Sequence, residues 1–375
     1  MMPRALAGML LLFFSGTQAI AESTMPRVPP GFTIERIATV AGARELAVTR
    51  SGDLLVGGSG SRIAIVRNAS GTPSGPEVFV DIDDAPTAGI AIAPDAVYVG
   101  GQFSVWRIPF NAATGAHGHP QKIASVRTSG ISRDHITTSL AYGDGKLSVA
   151  VGSSCDACQP ELDDTRATIT QMNPDGSSHR LRAIHIRNAI ALAINPATGT
   201  LWAGVAEQDA LPRGHPYEIF DSVSSHAGVA DYGWPYCYDN RVAVGRNDCS
   251  HVVEPRVVFP AYATPIGAAF YPKAPTGPYA FPRRYWGGAF VSLHGSWHLP
   301  RSPPLVAFVP LRADRPEHPV NWNDPSAQWS EFVNGMQDGG GRRIARPTGV
   351  AVAPSGDLFV ADDDAGAIYR IRARH

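Results

Sequence analysis

Along the chain one hydrophobic pattern returns six times: an apolar residue followed by Ala, a short polar turn, then a second apolar run that closes near Gly. The six copies begin at Leu46 (LAVTRSGDLLVGG), Ile90 (IAIAPDAVYVGG), Leu140 (LAYGDGKLSVAVG), Leu192 (LAINPATGTLWAGV), Ala268 (AAFYPKAPTG, resuming at GGAFVSLHG) and Val350 (VAVAPSGDLFVAD). Each predicts a β-hairpin. Val, Ile, Leu and aromatic residues fill both arms. The turns Ser51-Gly52-Asp53, Asp144-Gly145-Lys146 and Ser355-Gly356-Asp357 supply the glycine that a short hairpin loop needs for positive φ.

The copies are spaced by 44, 50, 52, 76 and 82 residues. The first three spacings match one four-stranded propeller blade of about 40–50 residues. The last two carry insertions, near 211–262 and 312–345, expected as loops around a binding mouth. The segments before Leu46 and after Val350 together supply about one blade. The strand-like run Phe32 to Ile37 is therefore expected to pair beside Ala367 to Ile371, which removes two exposed sheet edges. The pattern predicts an all-β chain, a six-bladed β-propeller of four-stranded antiparallel blades whose ring is closed by the N- and C-terminal strands. An eight-stranded barrel or two sandwiches would also give many short strands, but not this repeat.

Composition narrows the function classes. Gly and Pro make up 70 of the 375 residues, in keeping with many turns. Charged residues are only 17% and the formal charge is −1, which excludes a disordered polyelectrolyte and a protein that holds nucleic acid through phosphate contacts. Only three lysines occur, Lys122, Lys146 and Lys273, and Leu147 follows the one Gly-Lys pair, so neither a Walker A loop nor a lysine Schiff base is expected.

At the N-terminus, Arg4 precedes an apolar stretch from Ala5 to Phe14, and Ala19-Ile20-Ala21 reads as a small-x-small cleavage site. Residues 1–21 are expected to be a signal peptide and 22–375 a single propeller domain, periplasmic or secreted, with no membrane span. Four cysteines in an exported chain suggest local disulfides, Cys155 to Cys158 and Cys237 to Cys249. Gln159 in place of His excludes covalent haem attachment, and a zinc site built from all four is the less well-spaced alternative.

Propeller sites collect where loops lead into the innermost strands, so the residues just before each repeat are the candidates. These are Arg44, the pair Asp134-His135, the pair Arg187-Asn188, and Arg346. Their convergence would make an anion-binding pocket with one titratable base.

The same segments carry a resemblance. RDHITTSLAYGDGKLSVAVGSSCDAC, IRNAIALAINPATGTLWAGVAEQDAL, DYGWPYCY, GGAFVSLHGSW and RPTGVAVAPSGDLFVADD occur in that order. From about Pro29 to the end the chain resembles the soluble quinoprotein sugar dehydrogenases, the glucose and sorbosone dehydrogenase family, whose members bind pyrroloquinoline quinone (PQQ) and calcium on a six-bladed propeller. The sorbosone-type branch looks nearest. The resemblance implies His135 as catalytic base with Asp134 beside it, and Arg187 and Asn188 against the quinone. It implies His294 where the glucose enzymes place a cofactor-binding lysine, and Arg346 as a partner of the cofactor carboxylates. Asp209 and Ala210 fall in the loop whose backbone carbonyls bind the cofactor calcium.

The implied function is oxidation of a sugar, polyol or aldehyde, with electrons passed to an external acceptor. Ile-Thr-Thr after His135, Tyr262-Ala263-Thr264-Pro265 before the fifth repeat and His at 294 depart from the family pattern and leave the substrate open. Two other propeller functions remain, a calcium-dependent lactonase and a non-catalytic binding module. Trp202, Trp234 and Trp286 read as blade packing, Trp297 as a site residue, and Asp362-Asp363-Asp364 as a solvated turn.

Overall fold

The computed structural model of the protein describes residues 25–127, 134–209, 211–296 and 302–374. All six repeats lie on innermost strands of four-stranded antiparallel blades, as the periodicity predicts. Those strands are Ala43–Val48, Gly89–Ile92, Thr138–Gly143, Ala189–Ile194, Pro265–Phe270 and Pro347–Val352. Each packs against the next, and the sixth packs against the first, so the ring closes. The described residues contain no helix beyond two 3-10 turns, Val223–Ser225 and Arg283–Tyr285.

The sixth blade is completed by the N-terminal strand. Phe32–Thr39 runs antiparallel to Ala367–Ala373, with Phe32 opposite Ala373 and Ile34 opposite Ile371. The expected turn glycines have positive φ, 87° at Gly52 and 94° at Gly356.

Strand alternation explains the packing. A strand buried on both faces sends successive side chains to opposite seams. Leu54 and Val56 pack toward blade six, whereas Leu55 between them packs toward blade two. Six apolar clusters result, one for each seam between neighbouring blades. Trp202 is fully buried in the seam between blades four and five, the packing role expected of it.

The insertions only partly surround the mouth. Residues 211–262 contain the third and fourth strands of blade four, Glu218–Ser222 and Val257–Phe259. Between them Ala230–Asp231 pairs in parallel with Arg180–Ile184 as a fifth strand of blade three. The second insertion begins at the far end. Asp314 accepts hydrogen bonds from Asn195 Nδ2 and Trp202 Nε1, at the hairpin that ends the innermost strand of blade four. The physical reason is blade geometry: a connection from third to fourth strand leaves at the end away from the mouth, and of the second insertion only 334–346 returns to it.

Both disulfides form, Cys155–Cys158 and Cys237–Cys249, which removes the zinc alternative.

Candidate functional site

The loops before the innermost strands and those between second and third strands meet at one end of the channel. They bring together two groups of side chains. Blades three and four supply His135, Ser153, Asp156, Arg187, Asn188 and Asp209; blades five, six and one supply His294, Arg346, Asp363 and Arg44.

In the first group His135 is held by its Nδ1, which lies 2.9 Å from the Ser153 carbonyl oxygen. A carbonyl only accepts, so Nδ1 carries the proton and Nε2 keeps its lone pair. Ser153 Oγ donates to Cys155 O at 2.7 Å and lies 2.9 Å from the same Nδ1. His135 adopts φ 47°, a left-handed conformation rare outside glycine. Burial, then the nearby Arg187 charge, hold the imidazole down at a pKa of about 3. It is therefore neutral at pH 7.

Gly152 lets His135 and Asn188 approach each other. A Cβ there would stand 2.4 Å from Asn188 Oδ1 and 2.6 Å from His135 Cβ, so any side chain would push them apart. Asp134 is exposed, and its carbonyl takes a hydrogen bond from Arg166 Nη1 at 3.2 Å.

Arg187 is 6% exposed and tied to the protein by three bonds. Nη2 donates to Asp156 Oδ1 at 2.8 Å, Nε to Asp156 O at 3.1 Å and Nη1 to Ala206 O at 3.0 Å. Two of its five N–H donors make no bond to the described residues. Asp156 sits inside the Cys155–Cys158 loop and also accepts from the Asp209 amide (2.8 Å) and, through its carbonyl, from Trp234 Nε1 (2.9 Å). Sequence reasoning missed Asp156, and it read Trp234 as blade packing. Trp234 is buried, yet its indole N–H supports the site.

In the second group His294 is engaged at both nitrogens. Nδ1 accepts from Arg346 Nη2 at 2.7 Å, so Nε2 carries the proton and donates to Asp363 Oδ1 at 3.0 Å. Burial lowers its pKa, with the Asp363 hydrogen bond opposing. Arg44 Nη1 lies 2.9 Å from Asp363 Oδ2. Asp362 is fully buried and caps the amides of Arg346 and Asp364. The solvated-turn reading of Asp362-Asp363-Asp364 is therefore corrected: a carboxylate run at a strand end also serves to cap amides and pair buried cations. Ala210 and Trp297 lie outside the described residues, as do residues 1–21.

Fold and mouth define a six-bladed propeller whose channel opens on arginine and histidine. Among solved structures the chain is similar to the holo form of the pyranose dehydrogenase PQQ domain from Coprinopsis cinerea, with TM-score 0.78, 18% identity and coverage of 93% of this chain and 97% of that one. The calcium structure of a family AA12 carbohydrate-active enzyme from Trichoderma reesei gives TM-score 0.75, 19% identity and coverage of 93% and 97%. The PQQ-bound aldose sugar dehydrogenase from Streptomyces coelicolor gives 0.62, 16%, 92% and 99%. A family profile described as TrAA12-like matches residues 239–374. An uncharacterized protein of Borreliella burgdorferi is 21% identical over 238 residues, 61% of this chain. The match spans 57% of that curated relative's length. The chain is thus similar in fold to soluble PQQ sugar dehydrogenases.

Proposed function

We propose that the protein is a PQQ-dependent dehydrogenase that oxidises a sugar, polyol or aldehyde, with electrons passed to an external acceptor. The observation that carries this reading is the His135 imidazole, with Nδ1 pinned on Ser153 and the Nε2 lone pair left over, close to Asn188 and Arg187. Export to the periplasm or medium is part of the proposal, supported by the two disulfides and the N-terminal apolar stretch. No helix among the described residues is long and apolar enough to cross a membrane.

The residues present fit the cofactor, a planar tricarboxylate. Arg44, Arg187 and Arg346 offer planar, permanently charged partners, and Arg346 Nε has no hydrogen-bond partner among the described residues. Calcium enters through Asp209, whose carbonyl the resemblance makes a ligand. Among the described residues no group of three His, Cys, Asp or Glu side chains is placed to hold a metal ion, so backbone carbonyls would do most of the holding.

When bound, PQQ would supply a two-electron hydride acceptor and calcium a Lewis acid beside it. His135 Nε2 takes the substrate hydroxyl proton as the carbon-bound hydride departs, and the Ser153 contact keeps Nδ1–H from competing. An anion paired with Arg187 would cancel part of the field that depresses His135 and raise its affinity for that proton. His294 is unsuited to be the base, because both of its nitrogens are engaged.

The test is to incubate purified mature protein with PQQ and calcium, then screen sugars, polyols and aldehydes with a dye acceptor. His135→Gln should keep cofactor binding while turnover falls by roughly 10²-fold or more. A loaded His135→Gln protein with near wild-type turnover would remove His135 from the mechanism.

A further inference from the structure

Two buried arginines that belong to neither group bond to the backbone around His135. Arg127 follows the outermost strand of blade two and is 3% exposed; Arg166 lies in blade three, between its second and third strands, and is 2% exposed. Arg127 Nη2 donates to His135 O at 2.9 Å and also to Thr137 O, while Nη1 donates to Thr138 Oγ1 and Gln102 O. Arg166 Nη1 donates to Ser153 O at 2.8 Å, Asp134 O at 3.2 Å and Gly152 O at 3.3 Å. The carbonyls on both sides of the imidazole, and the one that pins its Nδ1, therefore all rest on guanidinium groups.

This arrangement is expensive for folding alone. Arg127 has no carboxylate within ion-pair distance among the described residues, and its Nε is buried without a partner. Among the described residues Arg166 has only Asp163 in ion-pair range, 4.0 Å from its Nε, and that Nε makes no hydrogen bond. Buried charge without close pairing opposes stability. What the pair accomplishes is local: carbonyls at Asp134, His135, Thr137, Gly152 and Ser153, which lie outside the strands and flank a His135 in left-handed backbone, are held by rigid five-donor forks.

We propose that Arg127 and Arg166 are positioning residues for His135, holding the loop that aims its imidazole into the mouth. This rests on the reading of His135 as the base. The electrostatics agree with the geometry. Arg187 and Arg166 disfavour the imidazolium, the Ser153 carbonyl and Asp156 favour it, and the balance with burial leaves the ring neutral. Arg127 itself is pushed down to about 9, by burial first and by Arg166 second.

The test uses the mature full chain, ¹⁵N-labelled at histidine, with the His135 signals assigned by their loss in His135→Gln. Wild type should show one neutral tautomer, protonated at Nδ1, throughout pH 5 to 8. Arg127→Lys and Arg166→Lys keep the charge and lose the fork. Each should mix the tautomers and lower kcat by about tenfold while cofactor affinity changes by less than about threefold, the split expected when only orientation is lost. Arg166→Gln should in addition raise the pH at which His135 titrates.

Lys variants that fold normally and keep both the wild-type tautomer and wild-type kcat would overturn the proposal. Where a Lys variant does not fold, Thr138→Val takes one acceptor from Arg127 without stranding a charge. A fall of about twofold to fivefold in kcat there supports the proposal, and unchanged kcat with an unchanged His135 signal overturns it. Should the wild type take up no PQQ, the functional reading fails, and the tautomer measurement still decides whether the arginines position His135.

Discussion

Asp156 Oδ1 stands 2.8 Å from Arg187 Nη2, so a four-residue disulfide loop of blade three is bonded to an arginine that leads into blade four. The same oxygen takes the Asp209 amide, which couples the proposed quinone contact to the proposed calcium loop. Asp156→Ala leaves Arg187 without its carboxylate and frees the Asp209 backbone. PQQ affinity in calcium should fall by about tenfold or more, the scale of a lost charge-assisted bond. Calorimetric titration of variant and wild type checks this, and equal affinities would separate Asp156 from the site.

Gly152→Ala tests the close approach of His135 and Asn188. The added methyl meets Asn188 Oδ1 and His135 Cβ well inside van der Waals distance, so one must move. Turnover should fall by about 10²-fold, the scale reported for small displacements of reacting groups. Retained turnover with a folded protein would mean that this spacing does not matter.

Asp363→Asn removes the negative charge shared by Arg44 and His294. The mouth becomes more positive, so PQQ should bind about threefold or more tightly at low salt, with the gain lost at high salt. Burial raises the Asp363 pKa, but the His294 hydrogen bond and the neighbouring cations outweigh it and the net shift is downward. A depressed carboxylate stabilises the fold above its unfolded pKa and loses that contribution as pH falls through its folded one. Wild type should therefore lose more stability below about pH 4 than Asp363→Asn does, as read by thermal unfolding across pH.

The ring was legible because its signals are local: alternation in each hairpin, glycine at the turns, and the strand-like run at Phe32. His135, Arg187, Asn188 and Arg346 could be singled out because each lies just before an innermost strand. Their partners could not. Asp156 and Arg187 are 31 positions apart, and Arg44 and Asp363 are 319 apart, with no periodicity to link them. Arg127 and Arg166 bond mainly to carbonyls of irregular backbone, which leave no residue-type pattern in the sequence.

Glu45 faces the channel itself, where a cavity of about 40 Å³ is lined by residues from all six innermost strands. Ser139 Oγ donates to its carboxyl at 2.6 Å. Burial pushes the pKa up to about 8, opposed by the Ser139 bond, a backbone bond from Ile90 and the Arg44 charge. A raised carboxyl pKa means that the folded state binds the extra proton, so stability is full below the unfolded pKa and declines as pH rises toward 8. Glu45→Gln should remove that decline and stabilise the protein at pH 8.5 by roughly 2–4 kcal/mol, checked by denaturant unfolding at pH 5 and pH 8.5. Parallel pH profiles for the two proteins would place the Glu45 carboxyl near its ordinary value.

The central claim is that this mouth loads a quinone and lets a carbohydrate reduce it. The direct measurement is the absorbance of PQQ titrated into the purified protein with calcium, followed anaerobically as sugars, polyols and aldehydes are added. The expected result is uptake of about one equivalent per chain, weakened by chelator, and reduction of the bound quinone by at least one of these substrates. Failure to take up PQQ, or a loaded protein whose quinone none of them reduces, would contradict it.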